Sequence, residues 1–286
     1  MGKMSLSVVR GVKNLLSIRG GQLKKLRMSW FGGEPMMAYD VVENLLRFTI
    51  EEMPGTSDTT IESNMTTNGW LLSKEKLRNL SELNCKTFQI SLDGDKAEHD
   101  KLRILANGKG TFDSIWTNLV GAHKTDIDFT AVIRLHINTM NVESMRSLIQ
   151  RFGETFNHDS RFQLYIRGLS RLGGKNDPNL PVMDQVSLIR IVDELKLLSR
   201  SLGISLYDYH PEVGGYQCYA SKFNSFIIRS NGRVGKCTTA LYDQRNTIGQ
   251  LMENGKLEID KEKFSWWVRG NFTGSEEQLN CPLLAN

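Results

Sequence analysis

The chain has 286 residues, 36 of them Lys or Arg against 32 Asp or Glu, for a net charge of +4; 40% are hydrophobic and 24% charged. This is the balance of an ordinary soluble globular protein with one large domain or two smaller ones. No Lys/Arg block marks a nucleic-acid groove, no apolar run reaches the ~18 residues of a membrane helix, and no hydrophobic region near Met1 signals secretion, so the expected location is the cytoplasm. Leu6 stands where N-myristoylation requires Ser or Thr.

Leu6, Val9, Val12, Leu15 and Leu16 follow helical spacing, with Ser5 as a candidate N-cap and Gly20-Gly21 as the stop. "LKKLRMSWF" reads as a strand that runs into "GGEP". Residues 39–53 read as an amphipathic helix ended by Pro54-Gly55. "TTIESNMTTNG" is a strand turning at Asn68-Gly69, and a helix over 73–83 leads to the strand "CKTFQISLDG". A helix over 112–123, the strand "FTAVIRLHIN", a helix over 142–152, the strand "RFQLYIRGL" and a long helix over 183–202 follow. Repeated strand–helix alternation predicts a parallel sheet with right-handed helical crossovers, with its chemistry at the C-terminal strand ends. Those ends are Gly32-Gly33-Glu34, Thr67-Asn68-Gly69, Ser91 to Gly94, Asn138 and Gly168-Leu169.

Beyond Leu202 long helices give way to "FNSFIIRSNGRVGKCTTAL", two short strands around a Ser-Asn-Gly turn. The expected organisation is one domain over 1–205 and a smaller one over 206–286. Four cysteines, Cys85, Cys218, Cys237 and Cys281, suit reduced, buried or metal-bound thiols rather than a disulfide framework. Cys85 opens a strand and reads as a buried small side chain.

Glycines at a strand tip let a ligand approach bare backbone. "WFGGEP", "TTNG", "QISLDG" followed by "HDKLR", and "AVIRLHIN", in that order on successive strands, resemble the radical S-adenosylmethionine (radical SAM) enzymes. The resemblance implies an α/β fold, a partial (β/α)6 barrel whose first strand is missing here. It implies that Gly32, Gly33, Glu34 and Pro35 hold the amino group of the cofactor's methionine moiety. Ser91 and Asp93 would face the ribose or the methionine end, Arg134 would pair with the carboxylate, and Leu169 would lie near the adenine. A tight turn and a surface ion pair are the plain alternatives for the glycines and for Arg134.

Cys218, the thirteen residues from Tyr219 to Asn231, Gly232, four residues and Cys237 resemble the opening of a SPASM domain, which carries auxiliary iron–sulfur clusters. Cys281 fits a later cysteine of that pattern, with Gln278 where the preceding one belongs. The C-x3-C-x2-C triad that holds the radical [4Fe–4S] cluster has no counterpart. The expectation is an internal fragment of a longer enzyme, inactive alone. A degenerate module that binds S-adenosylmethionine or a peptide without cleaving it, and an unrelated α/β enzyme with a zinc-binding tail, are the competing classes. The resemblance implies S-adenosylmethionine and [4Fe–4S] clusters as cofactors, a peptide or protein substrate, and an electron donor such as a flavodoxin or ferredoxin. It implies thioether or other cross-link formation. Sulfatase maturation is disfavoured because Thr238 follows Cys237 where those enzymes carry an Asp. No residue is assigned a catalytic role.

Overall fold

A computed structural model of the chain describes residues 2–171, 177–207 and 216–285. By internal contacts the chain divides into two compact units, neither continuous in sequence. One comprises 27–37 and 62–208, the other 1–26, 38–61 and 209–286.

The first unit is built on a six-stranded sheet of β1 (Lys25–Trp30), β2 (Thr60–Thr67), β3 (Cys85–Leu92), β4 (Thr130–Ile137), β5 (Phe162–Gly168) and β6 (Ser205–Leu206), in chain order. From β2 to β6 every pairing is parallel. Strand order that follows chain order means successive crossovers all step the same way, as in a barrel wall, and here the wall stays open between β1 and β6. One face is apolar and buried, with Met65, Phe88, Ile90, Ile133, Leu135, Leu164 and Ile166 each at most 5% exposed. Helices α3 (Lys74–Glu82), α5 (Phe112–His123), α6 (Val142–Phe156) and α7 (Gln185–Ser201) bury their own apolar stripes, among them Leu77, Ile115, Leu148 and Leu195. Phe112 stacks on Trp116, and Trp116 meets Phe152 and Phe156 in that core. The opposite sheet face carries Gln89, Ser91, Arg134, His136, Tyr165 and Arg167, half-buried or exposed apart from Ser91. Side chains alternate across a strand, so the apolar set on one face fixes this polar set on the other.

In the second unit α1 (Leu6–Gly20) starts at Ser5, whose hydroxyl accepts from the Val8 amide at 3.4 Å. The stretch expected as one helix to residue 53 is α-helical only over α2 (Tyr39–Arg47) and continues as a π-helical turn, Phe48–Glu52. The buried Thr49 hydroxyl donates to the Leu46 carbonyl at 2.7 Å there, side-chain bonding that competes with the regular ladder. An antiparallel sheet joins β7 (Ile227–Ile228), β8 (Arg233–Gly235), β9 (Gly249–Leu251) and β10 (Leu257–Ile259). Gly232 takes φ +79° at the β7–β8 turn, a conformation that L side chains rarely adopt. Helix α8 (Lys261–Val268) supplies Trp267, which is fully buried. Among the described residues no helix is long and apolar enough to cross a membrane.

Candidate functional site

The tip after β1 is held by one carboxylate. Glu34 Oε1 accepts from the Thr67 hydroxyl at 2.6 Å and the Met36 amide at 2.9 Å, and Oε2 accepts from the Asn68 amide at 2.7 Å. Glu34 thus ties the β1 tip to the β2 tip, with three of roughly four acceptor positions used. Pro35 is buried behind it. Gly32 and Gly33 stand at φ +98° and +54°, and a Cβ built on either meets nothing within 4 Å. They are exposed, strained for any other residue, and open on the side where a ligand would approach.

On the next strands, Ser91 and Arg134 are register partners, and Arg134 donates to the Ser91 hydroxyl from Nε at 3.1 Å and from Nη2 at 2.9 Å. Asp93 Oδ2 accepts from Arg103 Nε at 2.5 Å, while Oδ1 is buried without a hydrogen-bond partner and lies 4.0 Å from His136 Nδ1. Burial, then Arg134, pulls His136 down to about 4, so its ring is neutral near pH 7. Burial, then the Arg103 and Arg167 guanidinium groups, holds Arg134 below the usual arginine range. Asn141, 1% exposed, donates to the carbonyls of Asp93 at 3.2 Å and His136 at 2.9 Å, locking the β3 and β4 tips together. Leu169, half-buried, follows β5 with its amide bonded to the Ile137 carbonyl at 2.8 Å. Gly32, Gly33, Glu34, Pro35, Ser91, Asp93 and Leu169 lie at or just past C-terminal strand ends of this unit, and Arg134 lies inside β4, three residues before its end.

Arg103, His136 and Asn141 were missed by sequence reading. Arg103 lies in "HDKLR", a stretch read only as following a strand tip; it forms a seven-residue helix, α4 (Lys96–Leu102), that delivers Arg103 back to Asp93. Asp95 caps that helix by accepting from the Glu98 amide at 3.1 Å, a signal visible in the sequence.

In the second unit Cys218, Cys237 and Cys281 are free thiols. Burial pushes the Cys218 thiol up, and Cys237 and Cys281 are near enough to add to the shift. Cys218 is further tied to the segment before Cys281, its amide donating to the Leu279 carbonyl at 2.9 Å. Cys237 lies two residues past the end of β8, and its Sγ lies 3.1 Å from the Thr239 hydroxyl. Asn246 brackets it: Oδ1 accepts from the Lys236 and Cys237 amides at 2.8 and 2.9 Å, and Nδ2 donates to the Cys237 and Ala240 carbonyls at 2.7 and 2.8 Å. Tyr219 Oη accepts from the Thr238 amide at 2.9 Å and shares a 2.6 Å hydrogen bond with the Thr238 hydroxyl. Among the described residues no group of three His, Cys, Asp or Glu is placed to hold one metal ion. Cys85 is fully buried and its thiol is pushed up to about 11 by burial, the environment of an inert packing thiol.

A cysteine-type anaerobic sulfatase-maturating enzyme of Clostridium novyi (strain NT) is 29% identical over 262 residues, 85% of this chain and 66% of the relative; the chain thus spans just under two thirds of that protein's length. A solved structure described as native anSMEcpe with bound AdoMet and Kp18Cys peptide superposes with a TM-score of 0.67 at 16% identity, over 92% of this chain and 72% of that one. SuiB of Streptococcus suis superposes with a TM-score of 0.59 at 15% identity, over 91% of this chain and 61% of that one. Both structural likenesses are likenesses of fold. The model of the radical SAM superfamily matches residues 7–152, just over half of the sequence, and the chain belongs to that superfamily.

Proposed function

We propose that this protein binds S-adenosylmethionine across the β1–β5 tips and serves radical modification of a peptide or protein side chain. The observation that carries the reading is the pairing of two open, positive-φ glycines with a buried, unpartnered carboxylate oxygen on Asp93, one strand tip beyond Glu34 and Thr67. The two features fit the cofactor. A methionine ammonium seeks exposed carbonyls, and Gly32 and Gly33 leave theirs approachable. A ribose hydroxyl donates to an orphaned carboxylate oxygen, which Asp93 supplies. Arg134 would take the methionine carboxylate, and Leu169 would pack against the adenine. Glu34 acts through the tip, since its hydrogen bonds to Met36, Thr67 and Asn68 hold the glycines in place. When bound and given one electron by an iron–sulfur reductant, the cofactor would release methionine and supply a carbon radical able to abstract hydrogen from a substrate.

The sequence contains no C-x3-C-x2-C, and Cys85 is buried in the sheet, so these residues do not form a radical-cluster site and no step is derived through one. Cys237 and Cys281 both lie near enough to Cys218 to raise its thiol, which supports a partial auxiliary iron–sulfur site built from these three thiolates.

A peptide or protein substrate is supported by the peptide complex among the structural relatives. Within that class we favour bond formation between side chains, because Thr238, hydrogen-bonded to Tyr219, stands where a carboxylate base would be needed for the sulfatase-maturase reaction. The 29% identity to the Clostridium novyi enzyme supports the second reading, oxidation of a cysteine. The test uses a protein that carries this chain together with a C-x3-C-x2-C triad, loaded with its clusters and incubated with candidate peptides, read by tandem mass spectrometry. A new link between side chains supports the first reading, an oxidised single residue the second, and cofactor cleavage without any peptide product contradicts both.

A further inference from the structure

The polar sheet face holds more positive charge than the cofactor accounts for. Among the described residues, the charged side chains that act on Arg134 and His136, besides each other, are Arg103, Arg167 and the Asp93 carboxylate, with the Tyr165 phenol also acting on Arg134. Arg103 is committed to Asp93. His136, the register partner of Arg167 on β4, is neutral and offers no counter-charge. Arg167 is exposed, among the described residues its side chain makes no hydrogen bond or ion pair, and its guanidinium lies 5.9 Å from the Tyr165 ring. Among the described residues these two guanidinium groups, Arg134 and Arg167, pair with no carboxylate.

On the cofactor reading above, on which this inference rests, Arg134 is matched by the methionine carboxylate. The sulfonium and ammonium of the same molecule then add positive charge. Arg167 remains, one strand further along and on the same sheet face, held by β5 rather than by a loop. A guanidinium on a rigid strand, backed by an aromatic ring, offers a two-pronged donor to a planar carboxylate, and neighbouring like charge strengthens its demand for one.

We infer that the substrate is an acidic peptide that presents an aspartate or glutamate carboxylate to Arg167. The carboxylate orients the peptide over the strand tips, and the residue to be modified lies a short distance along the peptide.

The test uses the 286-residue chain with saturating S-adenosylmethionine and two pools of capped heptapeptides, random except for a central Glu in one and Gln in the other. Retention is measured by affinity selection and mass spectrometry. The Glu pool should be retained about tenfold more than the Gln pool, with the preference shrinking as salt rises. Arg167→Gln should bring the pools to parity, and Arg167→Lys should restore part of the preference. Calorimetry on the same variants should show unchanged S-adenosylmethionine affinity. Equal retention by the parent chain, or a preference that survives Arg167→Gln, overturns the inference and leaves the cofactor reading standing. A preference that depends on Arg167 in a chain that binds no S-adenosylmethionine removes the cofactor reading and leaves the acidic-peptide site.

Discussion

Asn246 offers the most direct test of how the tail holds its cysteines. Its carboxamide is 1% exposed and spends its whole hydrogen-bonding capacity on the loop around Cys237, accepting from two amides and donating to two carbonyls at 2.7–2.9 Å. Asn246→Ala removes all four bonds and leaves two buried N–H groups without partners. At about 1 kcal/mol net per neutral hydrogen bond, the four bonds set the loss at no less than about 4 kcal/mol, to which the orphaned amides add their desolvation cost. That lies at the upper end for a single substitution. Asn246→Asp keeps the shape but points an anionic oxygen at the Cys237 and Ala240 carbonyls, so it should cost at least as much. Urea unfolding followed by tryptophan fluorescence measures the loss, with Trp267 as the buried reporter in the same unit. Hydrogen exchange at the Lys236 and Cys237 amides localises it. A loss under about 1 kcal/mol with unchanged protection of those amides would refute the reasoning.

Further outcomes concern the thiols, the cluster and pH. In a longer protein that carries this chain with the remaining cluster cysteines, reconstituted with iron and sulfide, Cys218→Ala with Cys237→Ala should lower bound iron by one cluster while sparing S-adenosylmethionine binding, and Cys85→Ala should do neither; iron analysis equal to the parent would end the auxiliary-cluster assignment. The chain as given should yield no 5′-deoxyadenosine under anaerobic reconstitution with dithionite, since it supplies no triad for a radical cluster; product above a no-protein blank contradicts this. His99 is fully buried, accepts from the Asp93 amide at 3.3 Å, and is held down to about 4 from 6.5 chiefly by burial. Between those values the unfolded chain binds the proton and the folded one does not, so stability is complete above pH 6.5 and falls by roughly 3 kcal/mol as pH drops to 4. His136, pulled down to about the same value, adds a similar fall, so His99→Gln should remove about half of the slope over that range, and an unchanged slope would show that His99 is not among its sources.

The strand–helix alternation was legible because each strand buries one apolar face and each helix one stripe, so the period betrays the element. Helix α5 lies where its spacing placed it, and Ser73 caps α3 as an N-cap residue should, accepting from the Lys76 amide at 3.4 Å. The glycine-bearing tips were legible for the same reason: Gly32 and Gly33 are needed where φ is positive. The π-helical turn after Arg47 was not, because the apolar spacing of residues 39–53 continues through it and a single extra residue per turn leaves little trace. Nor was the grouping of α1 and α2 with residues 209–286, which depends on contacts far apart in sequence. Arg103, His136 and Asn141 escaped because each looks like an ordinary polar residue until the fold places it beside Asp93. Asn246 escaped for the same reason beside Cys237.

The central claim is that the Gly32-Gly33 tip receives S-adenosylmethionine. Gly33 stands at φ +54° with open space where a Cβ would project, so Gly33→Val brings a β-branched side chain into a strained backbone and into the path of the ligand. Calorimetric titration of S-adenosylmethionine into the parent chain and the Gly33→Val variant, with circular dichroism to confirm that both are folded, measures this directly. The account expects saturable binding to the parent and at least a tenfold loss in the variant. Equal affinity for both would show that the tip is only a turn, and that the cofactor, if it binds at all, binds elsewhere.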